Sequence, residues 1–153
     1  MILISGILMD AFFIALLLWC ACTDLKRRTV SNLLVVLLLC LGLLNMAMAV
    51  INGGTWWIYP AGLLLSVPFF IAWLKNSMGG GDVKLIMAIS FYLGLWDTLI
   101  AFTLMIPVVA VLAVHTKCKH RTLKSRIPLV PVIGIGAVCT VVFGYLYGGI
   151  MQF

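Results

Sequence analysis

Four aspartates are the only acidic side chains in this chain of 153 residues, and two of them stand in settings that suit acid–base chemistry. Asp24 lies just before a run of basic residues, and Asp82 follows three consecutive glycines. Two carboxylates that share one proton can divide the work of hydrolysis, because the ionised one deprotonates a water molecule while the protonated one donates to a carbonyl oxygen. This chemistry needs two chain segments that hold Asp24 and Asp82 at one level of the fold.

The composition excludes a soluble domain. Hydrophobic residues make up 65% of the chain, charged residues only 9%, and the mean hydropathy is +1.25, whereas about a quarter of the residues in a soluble domain are charged. The same composition excludes a disordered chain and a disulfide-built secreted module. Because a membrane span takes roughly 20 residues, six spans fill the length. We therefore predict one domain over residues 1–153, an all-α integral membrane protein built as a bundle of six transmembrane helices.

The basic residues predict how this bundle is oriented. The predicted spans run near residues 2–22, 33–51, 60–74, 83–95, 98–114 and 129–150. All ten Lys and Arg fall in alternate connections, within residues 26–28, 75–84 and 117–126. The positive-inside rule then predicts a multi-pass protein of the cytoplasmic membrane, with both termini outside the cytoplasm. Four aromatic residues suited to the outer interface lie in the uncharged connections: Trp56, Trp57, Tyr59 and Trp96.

The net charge of +6 fits this orientation. Lys and Arg in cytoplasmic connections both set topology and attract anionic lipids. We therefore expect a bilayer with anionic lipids as a partner of the basic loops, and no nucleic acid.

The predicted topology sorts the four aspartates into two levels. Asp24 and Asp82 lie at the cytoplasmic boundary, whereas Asp10 and Asp97 lie near the outer one. Asp10 and Asp24 are fourteen residues apart, which is about 21 Å on a helix, so they belong to different sites. Asp97 is most simply a residue at a helix start. Asp10 is either an interfacial polar residue or a polar contact inside the bundle.

Each cytoplasmic aspartate also has a purely structural interpretation. Asp82 can cap the helix that follows the glycine turn, and Asp24 can pair with Arg28 one helical turn later. If they form a catalytic pair, the helix dipoles favour the ionised form at Asp82, near a helix N-terminus. They favour the protonated form at Asp24, near a C-terminus.

Three stretches resemble the type IV prepilin leader peptidases, membrane aspartic proteases of the GxGD kind. Residues 24–32 are similar to the family's Asp, basic run and Ile-Pro-Asn, although Val30 replaces Ile and Ser31 replaces Pro. Residues 79–85, Gly-Gly-Gly-Asp-Val-Lys-Leu, are close to the family's GxGDxK run and are the most specific of the three. Residues 126–131, Arg-Ile-Pro-Leu-Val-Pro, resemble the Ile-Pro-x-x-Pro opening of its last helix.

The resemblance implies an aspartic endopeptidase with Asp24 and Asp82 as the catalytic pair and no metal or other cofactor. Its substrates would be pilin-like precursors, from which it removes a short basic leader on the cytoplasmic side. The supporting residues would be Gly79, Gly80, Gly81, Lys84 and Asn32. Larger members carry an N-terminal cytoplasmic insert with paired Cys-x-x-Cys and also methylate. This chain lacks the insert and resembles the small form found with tight-adherence or Flp-type pili, so we expect peptidase without methyltransferase activity.

Two supporting residues keep alternative interpretations. Lys84 either acts on the substrate or the aspartates, or marks the interface by extending its amine to water. Asn32 either orients the loop beside Asp24 or caps the second helix. The apolar segment of a substrate would dock between helices, where Gly42, Gly62 and Ala88 leave room.

The remaining polar and small residues predict no further chemistry. Four cysteines in apolar runs, Cys20, Cys22, Cys40 and Cys139, are expected to be small core residues. The spacing of His115, Cys118 and His120 is poor for a metal site and the loop is strongly basic. Gly144 and Gly148 favour helix packing within one chain over dimerisation.

Two other functions fit parts of the sequence. A small ion-coupled transporter would use Asp10 and the glycine break before the fourth span. A non-catalytic membrane subunit of a pilus-assembly machine would tolerate Asn at Asp24 and Asp82. The sequence does not predict the oligomeric state.

Overall fold

The computed structural model describes residues 2–27, 31–76, 78–120 and 129–146, and its side chains over 6–24, 31–76, 78–108, 111 and 131–145. Within these ranges the chain is all-helical and contains no strand. The helices are α1 (Ile2–Arg27), α2 (Asn32–Ile51), α3 (Ile58–Leu65), α4 (Val67–Leu74), α5 (Gly80–His120) and α6 (Leu129–Leu146).

By length and composition, three described segments could cross a membrane: Gly6–Asp24, Asn32–Ile51 and Gly80–Val108, the last of which is divided at Gly94. Two shorter apolar segments are Ile58–Leu74 and Pro131–Tyr145. The predicted all-helical, membrane-type fold is therefore confirmed over the described residues. The count of six spans and the location of both termini outside the cytoplasm stay predictions.

The third predicted span, residues 60–74, is two short helices that meet at Ser66. Pro68 accounts for the break, because it has no N–H to donate and its ring would clash with the carbonyl one turn earlier, whereas the first turn of a new helix accepts it. The Ser66 hydroxyl, which is buried, donates to the Leu63 carbonyl at 2.6 Å. The polar atoms freed by the break are thereby partly satisfied inside the protein.

Helix α5 is divided at Gly94, close to the end of the fourth predicted span. Gly94 has φ 77° and ψ −174°, a conformation essentially restricted to glycine. The Thr98 hydroxyl donates to the Ser90 carbonyl at 3.3 Å, although residues eight apart on a straight helix are about 12 Å apart. The chain therefore folds back at Gly94, and α5 consists of two helical segments, 80–93 and 95–120.

Replacing Gly94 by Ala should destabilise the protein more than replacing Gly53 by Ala. Both glycines have φ 77°, but a Cβ on Gly94 would lie 3.0 Å from the Ile58 Cγ2 atom, whereas a Cβ on Gly53 meets nothing within 4 Å. Strain alone costs roughly 1–3 kcal/mol, and crowding against Ile58 adds to it only at Gly94. Thermal unfolding in detergent micelles, followed by circular dichroism, measures the difference. Equal losses of stability in the two variants would contradict the fold-back at Gly94.

The buried core joins α1, α2, α5 and α6. Phe13, Leu38, Leu85 and Ala137 contribute fully buried side chains from these four helices. Large apolar side chains also cover the outside, and Leu8 and Ile51 are 72% and 77% exposed. An apolar exterior around an apolar core is what a bilayer requires of a helical bundle.

Small residues let the helices approach closely rather than leaving room for a substrate. A Cβ on Gly62 would lie 2.3 Å from the Ser90 carbonyl oxygen, and a Cβ on Gly42 would lie 2.7 Å from the Phe91 ring. Ala88 is fully buried. The prediction that Gly42, Gly62 and Ala88 leave space for an apolar segment was therefore wrong, because neighbouring helices occupy that space.

Predictions about the cysteines and the last helix are corrected in part. Cys20 is buried as expected, but Cys22, Cys40 and Cys139 are exposed on the apolar exterior. Gly144 is exposed and a Cβ there would meet nothing within 4 Å, so it does not support the expected packing within the chain. Gly136 is the glycine of α6 that allows close packing within the chain, because a Cβ added there would lie 3.0 Å from the Ala101 carbonyl oxygen. Gly148 lies outside the described residues.

Candidate active site

Asp24 lies at the end of a buried stripe on α1. Phe13, Leu17 and Cys20 are at most 2% exposed and follow one another at intervals of four and three residues, which places them on one face of the helix. Asp24 comes four residues after Cys20 and continues this face into the last turn of α1, where it is half-buried. The thiol of Cys20 interacts electrostatically with the Asp24 carboxylate. The interior face of α1 therefore ends in an acid.

Asp82 lies at the beginning of a corresponding stripe on α5. It is a half-buried residue of the first turn, and the buried Leu85, Ile86 and Ile89 follow on the same side. The unpaired backbone N–H groups of a first helical turn carry partial positive charge, which stabilises a carboxylate there. The predicted position of Asp82 near the start of the helix is confirmed.

The glycines before Asp82 leave space for neighbouring side chains. A Cβ on Gly79 would lie 3.1 Å from the Asp82 Oδ2 atom, and a Cβ on Gly80 would lie 3.1 Å from the Trp73 Nε1 atom. Gly81 is the second residue of α5. Larger residues at Gly79 or Gly80 would crowd the Asp82 carboxylate or the Trp73 indole.

Hydrogen bonds show that α2 runs parallel to the first segment of α5. The Lys84 amine donates to Asn32 Oδ1 at 3.4 Å near the start of both helices, and the Asn45 amide donates to the Tyr92 carbonyl at 3.2 Å further along both. Tyr92, two residues before the fold-back at Gly94, contacts Asp10 and Phe13 of α1. From this end the buried face of α1 continues into the bundle as far as Cys20, so α1 runs antiparallel to the first segment of α5.

Helix geometry then sets Asp24 and Asp82 at about the same depth. The rings of Phe13 and Tyr92 stack with centroids 3.9 Å apart and an interplanar angle of 12°. Asp24 lies eleven residues along α1 from Phe13, or about 16 Å, and Asp82 lies ten residues back along α5 from Tyr92, or about 15 Å. Helix geometry thus assigns the two carboxylates similar depths, and their pairing in one site stays a prediction.

Lys84 and Asn32 connect two helix starts beside Asp82. Asn32 is the first residue of α2, while Ser31 holds the N-cap position and makes no side-chain capping bond. Of the two interpretations of Asn32, capping of the second helix was wrong, because Ser31 holds that position and the Asn32 side chain accepts a hydrogen bond from Lys84. Lys84 is exposed, which agrees with an amine at a membrane boundary.

A second polar cluster lies at the opposite end of the bundle and centres on Asp10. Tyr92 and Tyr145 each donate a hydrogen bond at 2.5 Å to a different oxygen of the Asp10 carboxylate. Asp97 interacts electrostatically with Asp10, and both acids interact with the Tyr59 hydroxyl. The sequence had grouped Asp10 with Asp97 at the outer level. Of the alternatives for Asp10, the contact inside the bundle is confirmed.

The sequence analysis missed the roles of Tyr92 and Tyr145. Both lie in apolar runs, where a tyrosine does not differ in pattern from other core aromatics. For Tyr92 the one signal available was a hydroxyl within an apolar run, because a buried phenol usually has a partner; Tyr145 is exposed and gave no such signal.

Several sequence predictions fall outside the described residues. These are the side chain of Arg28, most of the third motif at residues 126–131, and the side chains of His115, Cys118 and His120. Among the residues whose positions are described, no group of three or more His, Cys, Asp or Glu side chains could hold a metal ion.

The described fold is that of a helical membrane protein with an acid on each of two helices at one end. The chain belongs to the type IV leader peptidase family, whose model matches residues 11–114. The matched stretch includes Asp24, Asp82 and most of the length of α1 to α5. Comparison with curated proteins gave no match, and neither did comparison with solved structures. Membership of the family confirms the predicted resemblance and implies a protease that acts on a protein substrate.

Proposed function

We propose that this protein is a membrane aspartic endopeptidase that removes the short basic leader from pilin-like precursors, with Asp24 and Asp82 as its catalytic pair. The observation that carries the proposal is the stack of Phe13 on Tyr92 at 3.9 Å. From this common level, regular helices extend nearly equal distances to both aspartates. Family membership supports the leader-peptidase activity, and the shared depth of the two acids supports the mechanism.

The proposed reaction is attack of an activated water molecule on the peptide carbonyl. Asp82 lies in the first turn of α5, where the helix dipole favours the ionised form that accepts a proton from water. Asp24 lies in the last turn of α1, where the dipole favours the protonated form that donates to the carbonyl oxygen. The aspartates share one proton and titrate as a pair, so these roles describe the dominant arrangement of that proton.

The glycines before Asp82 suit a substrate that approaches the helix start as an extended chain. Backbone without side chains allows a peptide to come close. The basic leader would interact with Asp24 and Asp82, the two acids at this end of the bundle, while the apolar segment after the cleaved bond stays in the bilayer. Lys84 and Asn32 would hold the starts of α5 and α2 together beside this site.

The proposed setting is the cytoplasmic membrane, with the site facing the cytoplasm. Lys75 and Lys84 lie on either side of the segment that contains Asp82, and basic residues of this kind mark the cytoplasmic side and contact anionic lipids. We propose peptidase activity without methyl transfer, as in the small stand-alone forms that the sequence resembles. No metal or cofactor takes part in the proposed reaction.

The test is cleavage of a pilin-like precursor by the purified chain in bilayer discs containing anionic lipid. Mass spectrometry should find two products, a basic leader and a shortened precursor. Asp24→Asn and Asp82→Asn should each abolish cleavage, because each removes one half of the pair. Asp97→Asn is the matched control, since it removes an acid at the opposite end of the bundle, and should cleave normally.

Undiminished cleavage by Asp24→Asn or Asp82→Asn would reject the assignment of the pair. It would favour a non-catalytic role for these residues, as expected of an assembly subunit. An ion-coupled transporter is less well supported, because the Asp10 carboxylate that it would use already accepts two tyrosine hydrogen bonds.

A further inference from the structure

One carboxylate joins three helices at the end of the bundle opposite the candidate active site. Asp10 lies on α1, Tyr92 on the first segment of α5, and Tyr145 on α6. Each tyrosine binds its own carboxylate oxygen at 2.5 Å. We call Asp10, Tyr92 and Tyr145 the outer cluster. Both bonds lie at the short end of the range for O–H···O contacts, so the outer cluster is a directional link from α1 to two neighbouring helices.

Among the described side chains, those that α1 buries in the core are apolar. Phe13, Leu16 and Leu17 are buried against it, and the backbone of α1 packs chiefly on α6 and α2. Lipid chains are as apolar as these side chains, so burial alone gives little preference for one sliding position of a helix over another. A hydrogen bond loses its energy within about an ångström of displacement. The outer cluster therefore fixes how far α1 extends along α5.

The same two helices carry the proposed catalytic pair. A shift of α1 along its axis at Asp10 shifts Asp24 by the same distance, because an uninterrupted helix transmits axial displacement. The first segment of α5 likewise connects Tyr92 to Asp82 without a break, since Gly94 lies beyond it. We propose that Asp10 is a positioning residue whose hydrogen bonds to Tyr92 and Tyr145 keep Asp24 at the same depth as Asp82, although Asp10 lies at the opposite end of the bundle. This inference rests on the proposed function.

Thiol cross-linking tests this proposal without using activity. In a chain whose five native cysteines are replaced, one variant carries Asp24→Cys with Asp82→Cys, and a reference variant carries Asn32→Cys with Lys84→Cys. A short bifunctional thiol reagent should cross-link both pairs. Adding Asp10→Leu should slow the first cross-link about tenfold, because α1 loses its fixed position. The reference pair, which joins α2 to α5, should change by less than about twofold.

Further variants separate positioning from a general loss of structure. Asp10→Glu keeps the carboxylate and should restore most of the cross-linking rate. Tyr92→Phe with Tyr145→Phe keeps both rings, removes both donors and should reproduce Asp10→Leu. Asp97→Asn, the control within the same region, should leave the rate unchanged. In the cleavage assay with native aspartates, Asp10→Leu should lower kcat by about tenfold or more and leave KM nearly unchanged, because a misplaced acid slows chemistry more than binding.

The outcomes distinguish the positioning role from the proposed function. If Asp24→Cys and Asp82→Cys do not cross-link even with Asp10 present, the catalytic pair is rejected, and the positioning role with it. If they cross-link equally fast with Asp10 and with Leu at that position, the positioning role is rejected and the catalytic pair stands. The positioning role would also be rejected if Asp10→Leu lowered the cross-linking rate of the reference pair to the same extent, because the whole bundle would then have loosened.

Discussion

Replacing Asp24 and Asp82 together by Asn should slow leader removal no more than replacing either one alone. Each single change should lower the single-turnover rate by about 10³-fold or more, the range of general acid–base catalysis. Residues that act as a unit are not additive, because once one partner is lost the other has no step left to perform. Single-turnover cleavage of a pilin-like precursor, quantified by mass spectrometry, measures all three variants against the native chain.

Additive losses, which would bring the double variant to about 10⁶-fold, would contradict a shared mechanism and indicate that the acids serve separate steps. Asp97→Asn provides the control for removing an acid, since Asp97 interacts with Asp10 at the opposite end of the bundle. Circular dichroism of each variant shows whether the helices remain folded. A lost rate with retained helicity assigns the effect to chemistry.

Replacing Gly62 by Ala adds one methyl group to α3. We expect it to lower the free energy of unfolding more than a methyl group added at any other residue of that helix. The added Cβ would lie 2.3 Å from the Ser90 carbonyl oxygen and 2.9 Å from the Gly94 carbonyl carbon. Both atoms belong to the backbone, so no side chain can turn away and α3 must separate from α5. Overpacking of this kind costs about 1–3 kcal/mol and more where backbone must move. Reversible unfolding in mixed micelles measures the change.

Gly134→Ala is the matched control. Gly134 is a buried glycine of α6, and a Cβ there would meet nothing within 4 Å. In a helix the change from Gly to Ala then stabilises by about 0.5–1 kcal/mol. A Gly62→Ala variant as stable as the native chain would contradict the close approach of α3 to the fold-back at Gly94.

The sequence predicted features that depend on local chemistry. The sequence predicted a break between the fourth and fifth spans after residue 95, and the structure has it at Gly94, whose backbone conformation is essentially restricted to glycine. The grouping of Asp10 with Asp97 came from the topology that the basic residues predict, and the electrostatic interaction of these two acids agrees with it. The position of Asp82 in a first helical turn followed from the glycines before it.

Features that depend on the rotation of one helix against another were not predictable. Between Asn32 and Asn45 helix α2 is apolar on all sides, so this stretch does not by itself distinguish the buried Leu38 from the exposed Cys40. The partners of Asp10 lie 82 and 135 residues away along the chain. Asn32 was expected to bond locally, but a long Lys84 side chain from a parallel helix reaches it first.

The reversal at Gly94 also bears on how the chain enters the bilayer during synthesis. Residues 80–93 and 95–120 are joined without a polar loop that could cross the hydrocarbon by itself. The Thr98 hydroxyl donates to the Ser90 carbonyl only when the two segments lie side by side. If the two segments enter the bilayer together as a helical hairpin, the Thr98 hydroxyl is shielded from lipid. If they enter one after the other, it is exposed. We therefore expect the two segments to leave the insertion machinery together.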